Sequence, residues 1–90
     1  MSKAHLLISG RVQGVTFRAS TKKKAQSLGL KGWVRNTEDG KVETVVEGEQ
    51  EKIEKLIDWC KQGPSLAKVQ NIEVDWKEEQ EGFSNFEVRY

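Results

Sequence analysis

Residues 33–46, WVRNTEDGKVETVV, have the pattern of a β-hairpin. Trp33–Asn36 is a short run of strand-forming residues, and residues 42–46 carry valine or threonine at every second position. Asp39-Gly40 lies between the two runs and is a typical turn sequence, because glycine accepts the positive φ of tight hairpin turns. We therefore predict two antiparallel strands joined at residues 38–41.

Helical patterns lie on both sides of the hairpin. Upstream, Thr21, Ala25 and Leu28 have helical spacing and predict a short helix over residues 18–29. Downstream, apolar residues at i, i+3, i+4 and i+7 predict a second helix, which Gly63-Pro64 ends because proline cannot continue it. This second stripe consists of Ile53, Leu56, Ile57 and Cys60.

Strand patterns lie outside the helices. Apolar and polar residues alternate over His5–Val12, Ile72–Trp76 and Phe86–Tyr90. The element order is therefore βαββαβ with a short additional C-terminal strand. Right-handed crossovers place both helices on one face of an antiparallel sheet, which is an α+β, ferredoxin-like split β-α-β sandwich.

Length and composition predict one soluble domain over residues 1–90. A chain of 90 residues cannot divide its core between two domains. It has no apolar run near the ~20 residues that span a bilayer, and no apolar signal-like stretch at the N-terminus. We expect a cytoplasmic protein that does not bind membranes.

The sequence offers few ligands for a metal. Cys60 is the only cysteine and His5 the only histidine, so no Cys/His zinc site can form, and no Asp-x-Asp pair is present. A cysteine phosphatase with a Cys-x5-Arg motif would need arginine at position 66, where Leu66 stands. We expect no metal and no cofactor.

Charge is distributed unevenly along the chain. Residues 1–37 contain eight Lys or Arg and no acidic residue, whereas residues 38–90 contain seven basic and fourteen acidic residues. A region without carboxylates suits an anionic ligand, which nearby Asp or Glu would repel. On charge alone, a solvated basic face explains the pattern equally well.

A glycine-containing loop, GRVQGVTFR at residues 10–18, joins the first strand to the first helix. Its glycines allow backbone N–H groups to converge on an anion at a helix N-terminus, and Arg18 could present its planar fork to phosphate. The loop matches neither common nucleotide-binding motif. Taken alone, the glycines could equally form a tight connection between the strand and the helix. Arg18 could be a solvated surface cation, and Asn36 could cap the neighbouring turn.

Three segments together resemble the acylphosphatase family over essentially the whole chain: GRVQGVTFR, GWVRNTEDGKVETVVEG at residues 32–48, and FEVRY at residues 86–90. The resemblance implies a ferredoxin-like fold in which Arg18 binds substrate and Asn36 positions a water molecule. Thr37 matches a residue that helps to orient the asparagine. The implied phosphate-binding loop comprises Arg11, Val12, Gln13, Gly14, Val15, Thr16 and Phe17. Thr16 departs from the aromatic residue, cysteine or glycine that is common at its position, which bears on loop rigidity and turnover.

The implied activity is hydrolysis of the carboxyl–phosphate anhydride of a small-molecule acyl phosphate by direct in-line attack of water. Carboxylate and inorganic phosphate are the products. Acetyl phosphate, carbamoyl phosphate and phosphoglyceroyl phosphate all fit, and the family implies a monomer that binds no nucleic acid.

Two other functions remain open at this point. KGWVRN at residues 31–36 faintly resembles an RNA-recognition motif, although the first strand lacks the aromatic residues on which bases stack. The other is a non-catalytic acyl-phosphate-binding module, like the domains at the N-terminus of hydrogenase maturation proteins. Retention of Arg18 and Asn36 and a chain expected to be complete at Tyr90 favour the enzyme.

Overall fold

The computed structural model describes all of residues 1–90, and the predicted elements occur in the predicted order. Several elements differ in length from the prediction; the first helix, for example, ends at Ser27, and Gly29 lies beyond it. The seven elements are β1 Ser2–Arg11, α1 Phe17–Ser27, β2 Lys31–Asn36, β3 Val42–Gly48, α2 Gln50–Gln62, β4 Lys68–Lys77 and β5 Phe86–Arg89.

The strands form one sheet in the order β4-β1-β3-β2-β5. β1 pairs antiparallel with β3 and β4, and β2 pairs antiparallel with β3 as the hairpin pattern predicts. β4 is twice as long as its alternating pattern because it pairs with β1 from Lys3 to Arg11. Pairing with a long neighbour therefore extends a strand beyond its own sequence signal.

The sheet is mixed and not wholly antiparallel, because β5 pairs in parallel with β2. Lys77, Lys3, Glu47 and Lys31 lie on one row of the register, so β4 ends at the same end of the sheet at which β2 begins. The chain then crosses this end and continues along the outer edge of β2. The direction of β5 follows from this crossing.

The crossing segment, residues 78–85, is attached to the sheet by Glu47. Glu47 is 4% exposed, and its carboxylate accepts hydrogen bonds from the backbone N–H groups of Glu81, Gly82 and Phe83. Lys3 forms an ion pair with Glu81 at 2.5 Å. These contacts hold the segment that delivers β5 to β2.

The hydrophobic core lies between the sheet and the two helices. Register places Ala4, Leu6 and Ile8 of β1 on the same side as Val42 and Val46 of β3, and all five are fully buried. Both helices contribute to this one cluster, which confirms that they cover a single face. Their buried apolar residues are Phe17 and Ala25 of α1, and Ile53, Leu56, Ile57 and Cys60 of α2.

The three tryptophans, which we expect to be packing residues, have different environments. Trp59 packs against Phe17 with ring centroids 5.7 Å apart, and Trp33 is half-buried under the Arg89 guanidinium. Trp76 is 42% exposed because it belongs to the edge strand β4, so the packing prediction is wrong for this residue.

Neither helix is long and apolar enough to span a membrane.

Candidate active site

The loop between β1 and α1 has a backbone conformation suited to anions. Gly14 and Thr16 have positive φ values of 74° and 63°, whereas Gln13, Val15 and Phe17 do not. When residues of opposite φ sign alternate, successive N–H groups point to the same side and form a concave nest of donors. Residues 13–17 have this alternation.

The N–H groups of residues 12–19 make no hydrogen bond to another group of the protein. The first bond of α1 runs from the Ser20 N–H to the Thr16 carbonyl at 3.0 Å, and the first turn contains no acidic residue. The positive end of the helix dipole adds to these unpaired donors. The loop and the helix start thus form a positively polarised surface without a protein acceptor.

Gly10 allows the chain to leave the sheet and enter this loop. It has a φ of 122° and lies at a register irregularity in the pairing of β1 with β4. A Cβ atom here would lie 2.2 Å from the Lys68 carbonyl oxygen, so no larger residue fits. The close approach of the two strands at this point requires glycine.

Asn36 ends β2 at the end of the sheet where β1 runs into the loop. It pairs with Val42, which in turn pairs with Ile8, so Asn36 lies on the helix-covered side. Its side-chain oxygen is buried and accepts no hydrogen bond from the protein. A buried polar oxygen without a partner costs about 1 to 3 kcal/mol, and the Thr21 hydroxyl is the only other side-chain group in this state, so Asn36 is a candidate for contact with a bound ligand.

Arg18 and Asn36 line the same cavity, which has a volume of about 170 Å³. Arg18 is half-buried, forms no ion pair with a carboxylate, and places its guanidinium 4.8 Å from the centre of the Tyr90 ring. Its charge is therefore available to an anion in the cavity. The full lining is Val12, Gly14, Thr16, Phe17, Arg18, Ala19, Asn36, Val88 and Tyr90.

Similarity to known proteins agrees with this geometry. The acylphosphatase family model matches residues 4–88. The acylphosphatase of Thermococcus kodakarensis is 56% identical over 86 residues, covering 96% of this chain and 93% of that protein. The acylphosphatase of Roseiflexus sp. is 52% identical over 87 residues, covering 93% of this chain and 94% of that protein. The crystal structure of acylphosphatase from Bacillus subtilis matches with a TM-score of 0.98 at 34% identity, and each chain is fully covered.

The chain belongs to the acylphosphatase family. The resemblance, the ferredoxin-like fold and the enzyme class predicted from the sequence are thereby confirmed. This acylphosphatase is a hydrolase of acyl phosphates.

The predicted phosphate loop of this acylphosphatase divides into two groups of side chains. Val12, Gly14, Thr16 and Phe17 line the cavity, whereas Arg11, Gln13 and Val15 do not. Arg11 is exposed and forms no ion pair, and Val15 is buried in the core. The side chains of this second group therefore lie outside the cavity.

Thr37 does not contact the Asn36 side chain by a hydrogen bond. Its hydroxyl donates to the Asp39 carboxylate and accepts the Lys41 N–H at 3.0 Å. Thr37 therefore stabilises the β2–β3 turn, and any effect on Asn36 passes through the backbone.

Three residues that line the cavity were not predicted as site residues from the sequence: Ala19, Val88 and Tyr90. Val88 and Tyr90 belong to the predicted C-terminal strand pattern, but that pattern does not say which strand β5 joins. Pairing with β2 brings the end of β5 next to Asn36. Ala19 follows Arg18 and could have been inferred from its place in the first turn of α1.

No carboxylate, imidazole, thiol or amine side chain lines the cavity, so none of these groups is in place there to act as a general base. A hydrogen bond from the Thr37 hydroxyl, together with attraction by Lys41, lowers the pKa of Asp39. Burial raises the pKa of the Cys60 thiol to about 12, so this thiol stays protonated and unreactive. No three His, Cys, Asp or Glu side chains are grouped so that they could hold a metal ion.

Removing the ring of Tyr90 is expected to weaken phosphate binding slightly. An exposed cation–π contact contributes about 0.5 to 1 kcal/mol, so Tyr90→Ala should raise the inhibition constant of inorganic phosphate about two- to fivefold. Tyr90→Phe is the matched control, because it keeps the ring and should match the wild type. Equal effects of the two substitutions would show that the stacked ring does not orient Arg18.

Proposed function

We propose that this acylphosphatase hydrolyses its substrate by direct in-line attack of water on phosphorus. The unpaired N–H groups of the loop and the Arg18 guanidinium hold the phosphoryl group, and the Asn36 side-chain amide fixes the attacking water. The observation that carries the proposal is that Arg18 and Asn36 line one cavity at the start of α1. The two groups are therefore within reach of a single small ligand.

The bond changes require no nucleophilic side chain. The water oxygen forms a bond to phosphorus while the bond from phosphorus to the acyl oxygen breaks, and its electron pair leaves with the carboxylate. A carboxylate is a good leaving group, so positioning and charge stabilisation suffice. We assign the water proton to a non-bridging oxygen of the substrate itself, which leaves carboxylate and dihydrogen phosphate as products.

The charge distribution of the N-terminal part of the chain favours the binding of a phosphoryl group at this site. Residues 1–37, which include the loop, Arg18 and Asn36, contain no carboxylate side chain. Charge on the equatorial phosphoryl oxygens can therefore be stabilised by fixed N–H dipoles and one guanidinium. The site supplies these donors in place before the substrate binds, so little reorganisation is needed in the transition state.

Hydrolysis of benzoyl phosphate in ¹⁸O-labelled water tests the proposal. Attack on phosphorus places the label in inorganic phosphate and none in benzoate, as mass spectrometry of both products would show. The rate should be unchanged in a metal chelator, because the proposed groups are all protein donors. The enzyme-free rate is subtracted as the control. Label in benzoate, or loss of the rate in chelator, would refute the proposed mechanism.

Two observations favour the enzyme over the two alternatives. Trp33, the aromatic residue of the KGWVRN segment, has Arg89 at 4.8 Å and Arg35 at 6.0 Å from its ring centre. Arg35 in turn pairs with Glu43 at 2.6 Å, so this face offers an RNA base no free aromatic platform. The unpartnered Asn36 side-chain oxygen in the cavity favours the enzyme over a non-catalytic module, because it can hold a water molecule there. A monomeric state, a cytoplasmic location and the absence of a nucleic-acid partner stay predictions.

A further inference from the structure

The side chain of Gln13 points away from the cavity and reaches the β2–β3 turn. Its Nε2 atom donates to the carbonyl oxygens of Thr37 at 2.8 Å and Lys41 at 2.9 Å. Both amide hydrogens are therefore used, and the side chain is half-buried. Gln13 lies between Val12 and Gly14, which both line the cavity.

The two acceptors belong to a turn that is closed by its own hydrogen bonds. The Thr37 N–H donates to the Lys41 carbonyl at 2.9 Å, and the Lys41 N–H donates to the Thr37 hydroxyl at 3.0 Å. Because these bonds join the two sides of the turn, Gln13 attaches the turn as a unit. Asn36 immediately precedes Thr37, so its backbone position depends on this attachment.

No other hydrogen bond joins the loop to the turn. The two bonds of Gln13 are the only ones between residues 11–18 and residues 36–41. β1 and β2 are not neighbours in the sheet, since β3 lies between them. Within the sheet, the position of the loop relative to the end of β2 is therefore fixed only indirectly, through the intervening strand β3.

We propose that Gln13 is a positioning residue that sets the distance between the phosphate-binding N–H groups and the amide of Asn36. This inference rests on the proposed function, in which the loop N–H groups and Arg18 hold the phosphoryl group and Asn36 holds the attacking water. In-line attack is sensitive to such placement, because a shift of about 1 Å costs about 100-fold in rate. Gln13 acts on turnover through Asn36 and does not itself contact the substrate.

Gln13→Met tests the inference, because methionine has a similar length and no hydrogen-bond donor. We expect kcat for benzoyl phosphate to fall about 10- to 100-fold. The inhibition constant of inorganic phosphate should change less than about twofold, because the loop N–H groups and Arg18 remain. An unchanged kcat, or an inhibition constant that rises in step with the loss of kcat, would overturn the inference.

A double-mutant cycle separates positioning from a general structural role. In an Asn36→Ala background there is no amide to position, so adding Gln13→Met should lower kcat less than about twofold further. If kcat of the double variant falls by the product of the two single-variant factors, the inference is overturned. If Asn36→Ala alone keeps wild-type turnover, the proposed function fails. If Asn36→Ala is impaired and Gln13→Met is not, the positioning role of Gln13 alone fails.

Gln13→Glu provides a second test should Gln13→Met not fold. Next to two carbonyl oxygens, an ionised carboxyl has no hydrogen to donate, whereas a protonated one can restore one bond. The kcat of the variant relative to wild type should rise about threefold or more between about pH 7.5 and about pH 5. A ratio that does not change with pH would overturn the inference.

Discussion

Asn36→Ala is expected to lower the turnover of benzoyl phosphate about 100- to 1000-fold, which is the usual effect of removing one preorganised donor or acceptor from a reaction site. The water molecule would keep its access to the cavity but lose the amide that aligns it with phosphorus. Because the loop and Arg18 are untouched, inhibition by inorganic phosphate should persist. Steady-state kinetics with phosphate as a competitive inhibitor measure both quantities.

The matched control for this substitution is Asn85→Ala. Asn85 is exposed and lies in the segment at the opposite end of the sheet, so its replacement should leave turnover unchanged. The Asn36 side-chain oxygen makes no hydrogen bond in the protein, so Asn36→Ala should not lower the free energy of unfolding. Near-wild-type turnover by Asn36→Ala would remove Asn36 from the mechanism, and parallel losses of stability and turnover would make its role structural.

Most of the fold could be predicted because its signals are local. The Asp39-Gly40 turn between two strand-forming runs and the Ile53–Cys60 stripe each predict their element without reference to the rest of the chain. The parallel pairing of β5 could not be predicted in this way. It depends on the crossing of residues 78–85, which the buried carboxylate of Glu47 holds through backbone N–H groups far away in the sequence.

The candidate site could be predicted as residue types but not as an arrangement. The motifs indicate Arg18 and Asn36, yet the shared cavity arises because β1 and β2 end at the same end of the sheet. Side-chain directions in an irregular loop have no periodicity, so Gln13 could not be distinguished from its neighbours. Its bonds to Thr37 and Lys41 are visible only in the folded chain.

Arg18→Ala is expected to have the largest effect on substrate binding and on kcat/KM. The guanidinium has no carboxylate partner, so its charge and planar fork serve the anion in the cavity. Losing it from a preorganised site costs about 3 to 4 kcal/mol, which predicts a fall in kcat/KM of about 100- to 1000-fold. Inhibition by inorganic phosphate should weaken by a similar factor, as competition kinetics would measure.

Arg18→Lys and Lys23→Ala separate geometry from charge in this prediction. Arg18→Lys keeps a cation without the bidentate fork, so it should recover only part of the loss. Lys23 is exposed on the same helix and does not line the cavity, so Lys23→Ala removes equal charge at a distance. It should alter kcat/KM slightly, and less as salt screens long-range attraction. Equal losses in Arg18→Ala and Lys23→Ala would mean that overall positive potential, and not a guanidinium in contact with phosphate, binds the substrate.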